Sequence, residues 1–343
     1  MSVAASAHAL PWLAPTIAQA QVLAGRSHAL LLHGAAGDGL FECAHRIVDR
    51  WLCEAGDASP RPCGACESCR MLAAGAHPDL RRLLPEALRQ QLGLAGAEAG
   101  EDAQDEGGTK TRRKPSRQIR IEEVRAAIEW AATTSSRGGV KAILIHPAEA
   151  MNLQAASALL KTLEEPPGNV RLLLASAAPA RLLPTVRSRC QVLRLQPPPA
   201  AGAREWLLTQ GLATPEILLD ACSGRPLDAL ALAQAGIDAA RWGALPAAVL
   251  RRQASALAGW ALPAIVDALQ KLCHDGLALA SGAAPRFFPG AALRQPARAE
   301  ALAAWSLELA RLARHADHPW NEGLLVDTLL ARAAAAWAGG REA

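Results

Sequence analysis

The stretch that most constrains the fold is AASALLKTLEEPPGNVRLLLASAAPARLLPTVRSRC, in the middle of the chain. Residues Ala155–Glu165 favour a helix, and the Pro-Pro-Gly that follows ends it because proline lacks an amide hydrogen and blocks a further turn. The apolar run Val170–Ala175 predicts a buried strand. A short helix over Thr185–Arg187 and a strand over Val192–Leu195 follow. This order of elements predicts the second half of an α/β nucleotide-binding core.

The first half of the same core is predicted upstream. Hydrophobic periodicity indicates helices over Thr16–Ala24 and Glu122–Thr133, and short strands over Ala29–Leu32, Ile119–Ile121 and Val140–Ile145. Strands that alternate with helices are typical of a parallel sheet with helices on its faces. The predicted class is therefore α/β.

A glycine-rich segment follows the earliest of these strands and precedes a helix, which is the context of a phosphate-binding loop. In the pattern G-x-x-x-x-G-K-[ST], the glycines are Gly34 and Gly39, with Gly37 between them. Leu40 occupies the position of the lysine that contacts phosphate, and Phe41 that of the hydroxyl that binds magnesium. We predict a degenerate loop that keeps a structural glycine turn and binds no ATP.

Charge around this loop also opposes phosphate binding. Asp38 and Glu42 place negative charge where phosphate would bind. The first lysine of the chain is Lys110, so no shift of register supplies the missing cation. ATP hydrolysis at this site is not expected.

Clustered cysteines follow in the pattern C-x9-C-x2-C-x2-C, at Cys53, Cys63, Cys66 and Cys69. Two-residue gaps let successive thiolates converge on one ion, and four thiolates without an open position suit a structural, tetrahedral Zn2+. The predicted zinc module spans residues 53–69. The isolated cysteines are expected to be buried small apolar residues; they are Cys43, Cys190, Cys222 and Cys273.

Composition adds limits rather than a function. Residues 97–118 carry an acidic run and then a basic run with few apolar side chains, which predicts a disordered loop. The net charge of +4 permits DNA contact without requiring it. The first basic residue is Arg26, so we expect no signal peptide, which would begin with a positively charged segment. No apolar run is long enough for a membrane span, so we expect a cytoplasmic chain with no membrane partner.

The C-terminal part reads as helical throughout. Helices predicted over Ala203–Gln210, Thr214–Cys222 and Pro226–Ala235 would form a small lid-like domain at 198–240, after a core domain at 1–197. Longer amphipathic helices separated by prolines follow over 241–343. The predicted organisation is thus an α/β core with two helical domains behind it.

Two strings carry a resemblance to a known family. LLKTLEEPP followed by Ser188-Arg189-Cys190 resembles the clamp-loader branch of the AAA+ ATPases, which have a RecA-like core. The resemblance implies that Arg189 is an arginine finger that reaches across a subunit interface to a neighbour's ATP. The resemblance also implies two further sites at which the family's nucleotide-binding residues are replaced. His146-Pro147 stands in place of an acidic pair, and Leu227 stands in place of a nucleotide-contacting arginine.

The resemblance implies a rigid, non-hydrolysing subunit, or stator, of the clamp loader in the DNA polymerase III holoenzyme, a DNA-directed DNA polymerase active in DNA replication. No intrinsic ATPase is expected, and the implied cofactor is structural zinc alone. The implied partners are gamma/tau and delta subunits in a hetero-pentamer, with the sliding clamp and primed DNA reached through the complex. The domain at 241–343 would be the collar that assembles the pentamer.

Two alternatives remain open. The chain could be a gamma-type clamp-loader ATPase with an unorthodox site, which ATP turnover by the isolated chain would favour. It could also be a zinc-knuckle nucleic-acid-binding protein on an inactive AAA+ scaffold. Salt-dependent DNA affinity that is lost on removal of zinc would favour this second alternative.

Overall fold

The computed structural model describes residues 10–56, 61–94, 115–293, 298–314 and 320–338. The chain separates into two compact units, Met1–Pro199 and Ala200–Ala343. Most of the loop predicted to be disordered, residues 97–114, lies outside the described residues. Of its remainder, the Ser116 N–H donates to Glu86 Oε2 at 3.0 Å, a contact at the surface.

The first unit is built on a five-stranded sheet in which every recorded pairing is parallel, in the order β2-β3-β4-β1-β5. The strands are β1 Ala29–His33, β2 Leu80–Leu83, β3 Lys141–Ile145, β4 Val170–Ser176 and β5 Gln191–Arg194. The middle strands are buried on both faces, which explains why they are nearly continuous apolar runs. Because the strands are parallel, their carboxyl ends lie at the same edge of the sheet.

Helices cover this sheet. They are α1 Ala14–Ala24, α2 Leu40–Leu52, α3 Glu67–Ala73, α4 Glu86–Gln91, α5 Ile121–Ala131, α6 Leu153–Glu164 and α7 Pro184–Arg187. Helix α6 begins where the Asn152 side chain accepts a hydrogen bond from the Ala155 N–H at 2.8 Å. It packs on one face of the sheet through Leu159 and Leu163, both almost fully buried.

The structure corrects one predicted strand and adds another. Ile119 forms only an isolated bridge with Met151, and Ile121 already begins α5 because the Glu123 carboxylate accepts from the Arg120 N–H at 2.9 Å. The strand at Ile119–Ile121 was therefore wrongly predicted. Strand β2 was not predicted, since the arginines at its centre hide the apolar pattern of an edge strand. The predicted strands that begin at 29, 140, 170 and 192 are observed within two residues of their limits.

The second unit is helical in its described residues. Its helices are α8 Ala200–Thr209, α9 Pro215–Ala221, α10 Pro226–Gln234, α11 Ala239–Leu250, α12 Leu262–Ala280, α13 Ala299–Ala313 and α14 Glu322–Ala338. The buried Trp242 ring stacks on Phe288 with a centroid distance of 4.7 Å. The division of this unit into a lid at 198–240 and a collar at 241–343 stays a prediction.

A fully buried carboxylate organises the turn after α12. Asp275 is 0% exposed and accepts the backbone N–H groups of Arg286, Phe287 and Phe288, each at 2.8 Å. These three contacts fix the segment that carries Phe288 against Trp242. The carboxylate thus replaces a secondary-structure ladder for three amides.

Asp275→Ala should lower the free energy of unfolding of this unit by about 3 kcal/mol, because it leaves three backbone N–H groups, that of Phe288 buried, without their acceptor. The measurement is urea unfolding followed by tryptophan fluorescence, since Trp242 reports on this turn. Glu216→Ala is the matched control. It breaks an exposed pair with Arg204 and should change stability by no more than about 1 kcal/mol. Equal effects of the two substitutions would contradict the structural role of Asp275.

Candidate functional site

The glycine-rich loop lies at the carboxyl edge of the sheet, directly after β1. Gly39 has φ 94°, a left-handed conformation that favours glycine, and an added Cβ would lie 2.9 Å from Leu10 Cδ1. A Cβ on Gly34 would lie 2.7 Å from Leu195 Cβ. Both glycines are thus required by backbone conformation and close packing, so their presence is explained without a bound phosphate.

The two loop positions that would bind phosphate and magnesium, 40 and 41, carry an apolar and an aromatic side chain. Leu40 is 0% exposed. The Phe41 ring packs against His146 with a centroid distance of 5.0 Å and against His45 at 4.4 Å. Position 41, where the loop pattern places a magnesium-binding hydroxyl, and position 146, where the resemblance implies an acidic residue, are therefore in ring contact with each other.

Burial keeps both histidines of this cluster neutral at pH 7. It lowers the pKa of His45 to about 3, with added repulsion from Arg82 and His146. It lowers the pKa of His146 to about 4, against the opposing attraction of Glu149. Burial also raises the pKa of the Glu42 carboxyl. The cluster formed by Phe41, His45 and His146 accordingly offers phosphate no positive charge.

These pKa values predict a pH dependence of stability. A histidine whose folded pKa lies below its unfolded value of 6.5 contributes stability that is full above pH 6.5 and is lost as the pH falls toward 4 or 3. His45→Leu should therefore reduce the slope of unfolding free energy between pH 6 and 5 by about 1.2 kcal/mol per pH unit, because the unfolded histidine is mostly protonated there. Urea unfolding at several pH values measures this slope. An unchanged slope would show that His45 titrates normally.

The predicted metal ligands come together in space. Cys53 follows α2, Cys63 and Cys66 lie in the next loop, and Cys69 lies in the first turn of α3; their sulfur atoms are all within 4.8 Å of one another. Backbone N–H groups point at the sulfurs: Cys66 N–H donates to Cys63 Sγ at 3.3 Å, and Cys69 N–H to Cys66 Sγ at 3.4 Å.

This geometry suits a metal-bound thiolate cluster. Hydrogen bonds from the Cys66 and Ala65 N–H groups lower the pKa of Cys63 to about 6, whereas burial raises the pKa of Cys69. Four sulfur atoms without a carboxylate among them could hold a metal ion and are compatible with structural Zn2+. Zinc there would supply tetrahedral cross-linking between α2 and α3.

An arginine joins this cluster to the core, a contact that sequence reasoning missed. Arg137 donates to Glu54, the neighbour of Cys53, and to Glu67 Oε2 at 3.0 Å. The Arg137 N–H is in turn accepted by the carboxylate of Asp79 at 3.0 Å, and Asp79 is 1% exposed.

Arg189 lies at the surface, just after α7. Its Nε donates to Glu164 Oε1 at 2.5 Å, its Nη2 pairs with the same oxygen, and its Nη1 donates to Thr185 O at 3.0 Å. The side chain is 33% exposed. Ser188 is exposed and Cys190 is buried, so burial raises the pKa of the Cys190 thiol to about 12.

The predicted burial of the isolated cysteines is confirmed. All four have buried side chains: Cys43, Cys190, Cys222 and Cys273. Burial raises the pKa of the Cys43 thiol to about 12, so it is a neutral thiol at pH 7. These residues therefore behave as small apolar groups.

Comparison with known proteins places the chain among the subunits of DNA polymerase III. A family model described as "DNA polymerase III, delta subunit" matches residues 14–199. The chain is 32% identical to the DNA polymerase III subunit delta' of Escherichia coli over 78% of both chains. It is 38% identical to that of Pseudomonas aeruginosa over 66% of this chain, spanning 62% of the length of that relative.

The chain belongs to the DNA polymerase III delta-prime family. This confirms the clamp-loader family that the strings LLKTLEEPP and Ser188-Arg189-Cys190 indicate. The match to Escherichia coli DNA polymerase III subunit tau is weaker, with 29% identity over 49% of this chain. The parallel five-stranded α/β sheet is consistent with the AAA+ clamp-loader fold. In the described residues, no helix is both long and apolar enough to cross a membrane.

Proposed function

We propose that this chain is the stator of a bacterial clamp loader, and that it presents Arg189 to ATP bound by an adjacent gamma/tau subunit. Its partners would be gamma/tau and delta in a hetero-pentamer that loads the sliding clamp on primed DNA. The observation that carries the proposal is a loop that keeps its glycine geometry while aromatic contacts fill its ligand positions.

The loop supports the absence of ATP turnover in this subunit. A phosphate loop works through backbone N–H groups, a lysine and a magnesium ion held by oxygen ligands. Here the lysine position is a fully buried leucine, Leu40, and Phe41 meets His146 where oxygen ligands are needed. The same contact argues against the gamma-type ATPase alternative.

Arg189 supports action on a neighbour's nucleotide. Phosphoryl transfer spreads negative charge over the γ-phosphate oxygens, and a guanidinium placed against them in a dry interface stabilises that charge. Arg189 lies at the surface with its guanidinium partly exposed. Arg189 comes just before β5, at the amino end of this parallel strand, whereas the chain's own glycine-rich loop follows the carboxyl end of β1. We therefore assign the reaction that Arg189 assists to a partner subunit.

ATP binding by the purified chain tests the proposal. Isothermal titration with ATP and magnesium should show no binding at low micromolar concentrations, and no phosphate should be released, because the loop lacks both cation and magnesium ligands. A gamma/tau subunit in the same buffer is the positive control. In a reconstituted loading assay, gamma/tau and delta should nevertheless load the clamp only when this chain is also present. Tight ATP binding, or full loading without this chain, would contradict the proposal.

A further inference from the structure

The first glutamate of the LLKTLEEPP string, Glu164, has no role in the function proposed above. Glu164 is the last residue of α6 and lies 25 residues before Arg189 in the chain, yet its Oε1 accepts from Arg189 Nε at 2.5 Å and pairs with Nη2. We propose that Glu164 is a positioning residue that fixes the direction of the Arg189 guanidinium before a nucleotide-bearing partner docks. This inference rests on the proposed function of Arg189.

The hydrogen bonds of the guanidinium define a held side and an open side. An arginine has five N–H donors in a planar fork. Nε and one Nη2 hydrogen face Glu164, and Nη1 faces Thr185 O at 3.0 Å and Ser188 Oγ at 3.4 Å. In the described structure a further Nη2 N–H lies outside this set of contacts. The fork is thus fixed along one edge while the side chain stays 33% exposed.

The elements that carry these acceptors are rigid. Helix α6 is fixed in the core by Leu159 and Leu163, which are 0% and 1% exposed. Thr185 and Ser188 belong to the α7 turn, where Val186 is 0% exposed. The guanidinium therefore has acceptors from two elements whose backbones are anchored in the core.

The pair has little value for stability, which leaves positioning as its consequence. Glu164 is 49% exposed, and exposed ion pairs contribute little because water and salt screen them. Fixing a long side chain in advance removes the entropy loss that binding would otherwise require. The guanidinium is already at the surface, so it does not have to leave Glu164 in order to reach a partner.

The test is a double-mutant cycle in the complete reconstituted complex. Arg189→Ala, Glu164→Ala, the isosteric Glu164→Gln and the double variant are compared by DNA-stimulated ATP turnover and clamp loading. Glu164→Ala should lower turnover at saturating ATP by about twofold to tenfold, up to the loss caused by Arg189→Ala, because a misplaced catalytic group loses rate. Glu164→Gln should be intermediate. The KM for ATP should not change, since Glu164 does not contact nucleotide in this mechanism.

The double variant and a neighbouring glutamate complete the cycle. Glu164→Ala should have no further effect in the Arg189→Ala background, because it acts only through that arginine. Glu165→Gln is the matched control and should behave as wild type, since its carboxylate is not among the acceptors of Arg189. Size-exclusion chromatography verifies assembly for every variant, and Glu164→Gln serves if Glu164→Ala does not assemble.

The outcomes separate the two proposals. If Arg189→Ala leaves turnover and loading at wild-type levels, the proposed function fails and the role of Glu164 fails with it. If Arg189→Ala depresses them while both Glu164 variants are normal or faster, only the positioning role is overturned. Multiplied effects in the double variant would also overturn it, because Glu164 would then act by another route.

Discussion

Arg189→Ala in a fully assembled complex should depress DNA-stimulated ATP turnover and should depress clamp loading still more. An arginine finger is worth about 10³ to 10⁵ in rate at an isolated site, because its charge stabilises the transferring phosphoryl group. Other ATP sites in the complex would use fingers from different subunits, so the loss of bulk turnover should be partial. Loading should suffer more, since clamp opening and release require the sites to act together.

Folding and assembly should be nearly unaffected by this substitution. Arg189 is partly exposed and its pair with Glu164 is at the surface, so the loss of unfolding free energy should be no more than about 1 kcal/mol. Arg189→Lys should not restore activity, because an ammonium cannot reproduce the planar fork of a guanidinium. Steady-state turnover and single-turnover loading with the reconstituted complex measure these effects.

The control for Arg189 is a second arginine of the same turn. Arg187 is exposed, and its Nη1 contacts only the carbonyl of Pro179, at 3.5 Å, among the contacts found in the described residues. Arg187→Ala removes the same charge two residues away and should leave turnover within about twofold of wild type. Wild-type turnover and loading by the Arg189→Ala complex would show that Arg189 is not a finger.

Serine substitution of any cysteine ligand should remove the bound metal and destabilise the first unit. A structural zinc site contributes its binding free energy to folding, with apparent values of about 10–16 kcal/mol in small zinc domains. The module is also joined to the core by Arg137, so its loss should propagate to the loop that Asp79 holds. The expected readouts are loss of one zinc per chain and a lower melting temperature.

Metal content and activity should respond differently. Elemental analysis of protein purified without chelator should find one zinc in the wild type and less in Cys66→Ser. Cys222→Ala is the control, because this buried cysteine lies outside the cluster and its variant should retain zinc. Arg189 is untouched in Cys66→Ser, so clamp loading by the surviving folded protein should change little. Wild-type protein without zinc would contradict the metal assignment.

Local chemistry in the sequence determined several features without the fold. Strands β1, β3 and β4 were predictable because burial on both faces requires nearly continuous apolar residues. The end of α6 was predictable because no helix continues through Pro-Pro-Gly. The cysteine cluster was predictable because ligand spacing limits which thiolates can converge on one ion. Each of these depends on a short stretch of chain.

Long-range contacts were decided only by the tertiary structure. Edge strand β2 has arginines at its centre, and only its pairing with β3 makes it a strand. Arg137 meets Glu54 across 83 positions and Glu164 meets Arg189 across 25, separations at which charge pattern alone cannot choose partners. The sequence alone shows that the side chains at positions 41 and 146 have no oxygen atom to bind magnesium. That the rings of Phe41 and His146 pack together is decided by the parallel sheet, which brings the carboxyl ends of its strands to one edge.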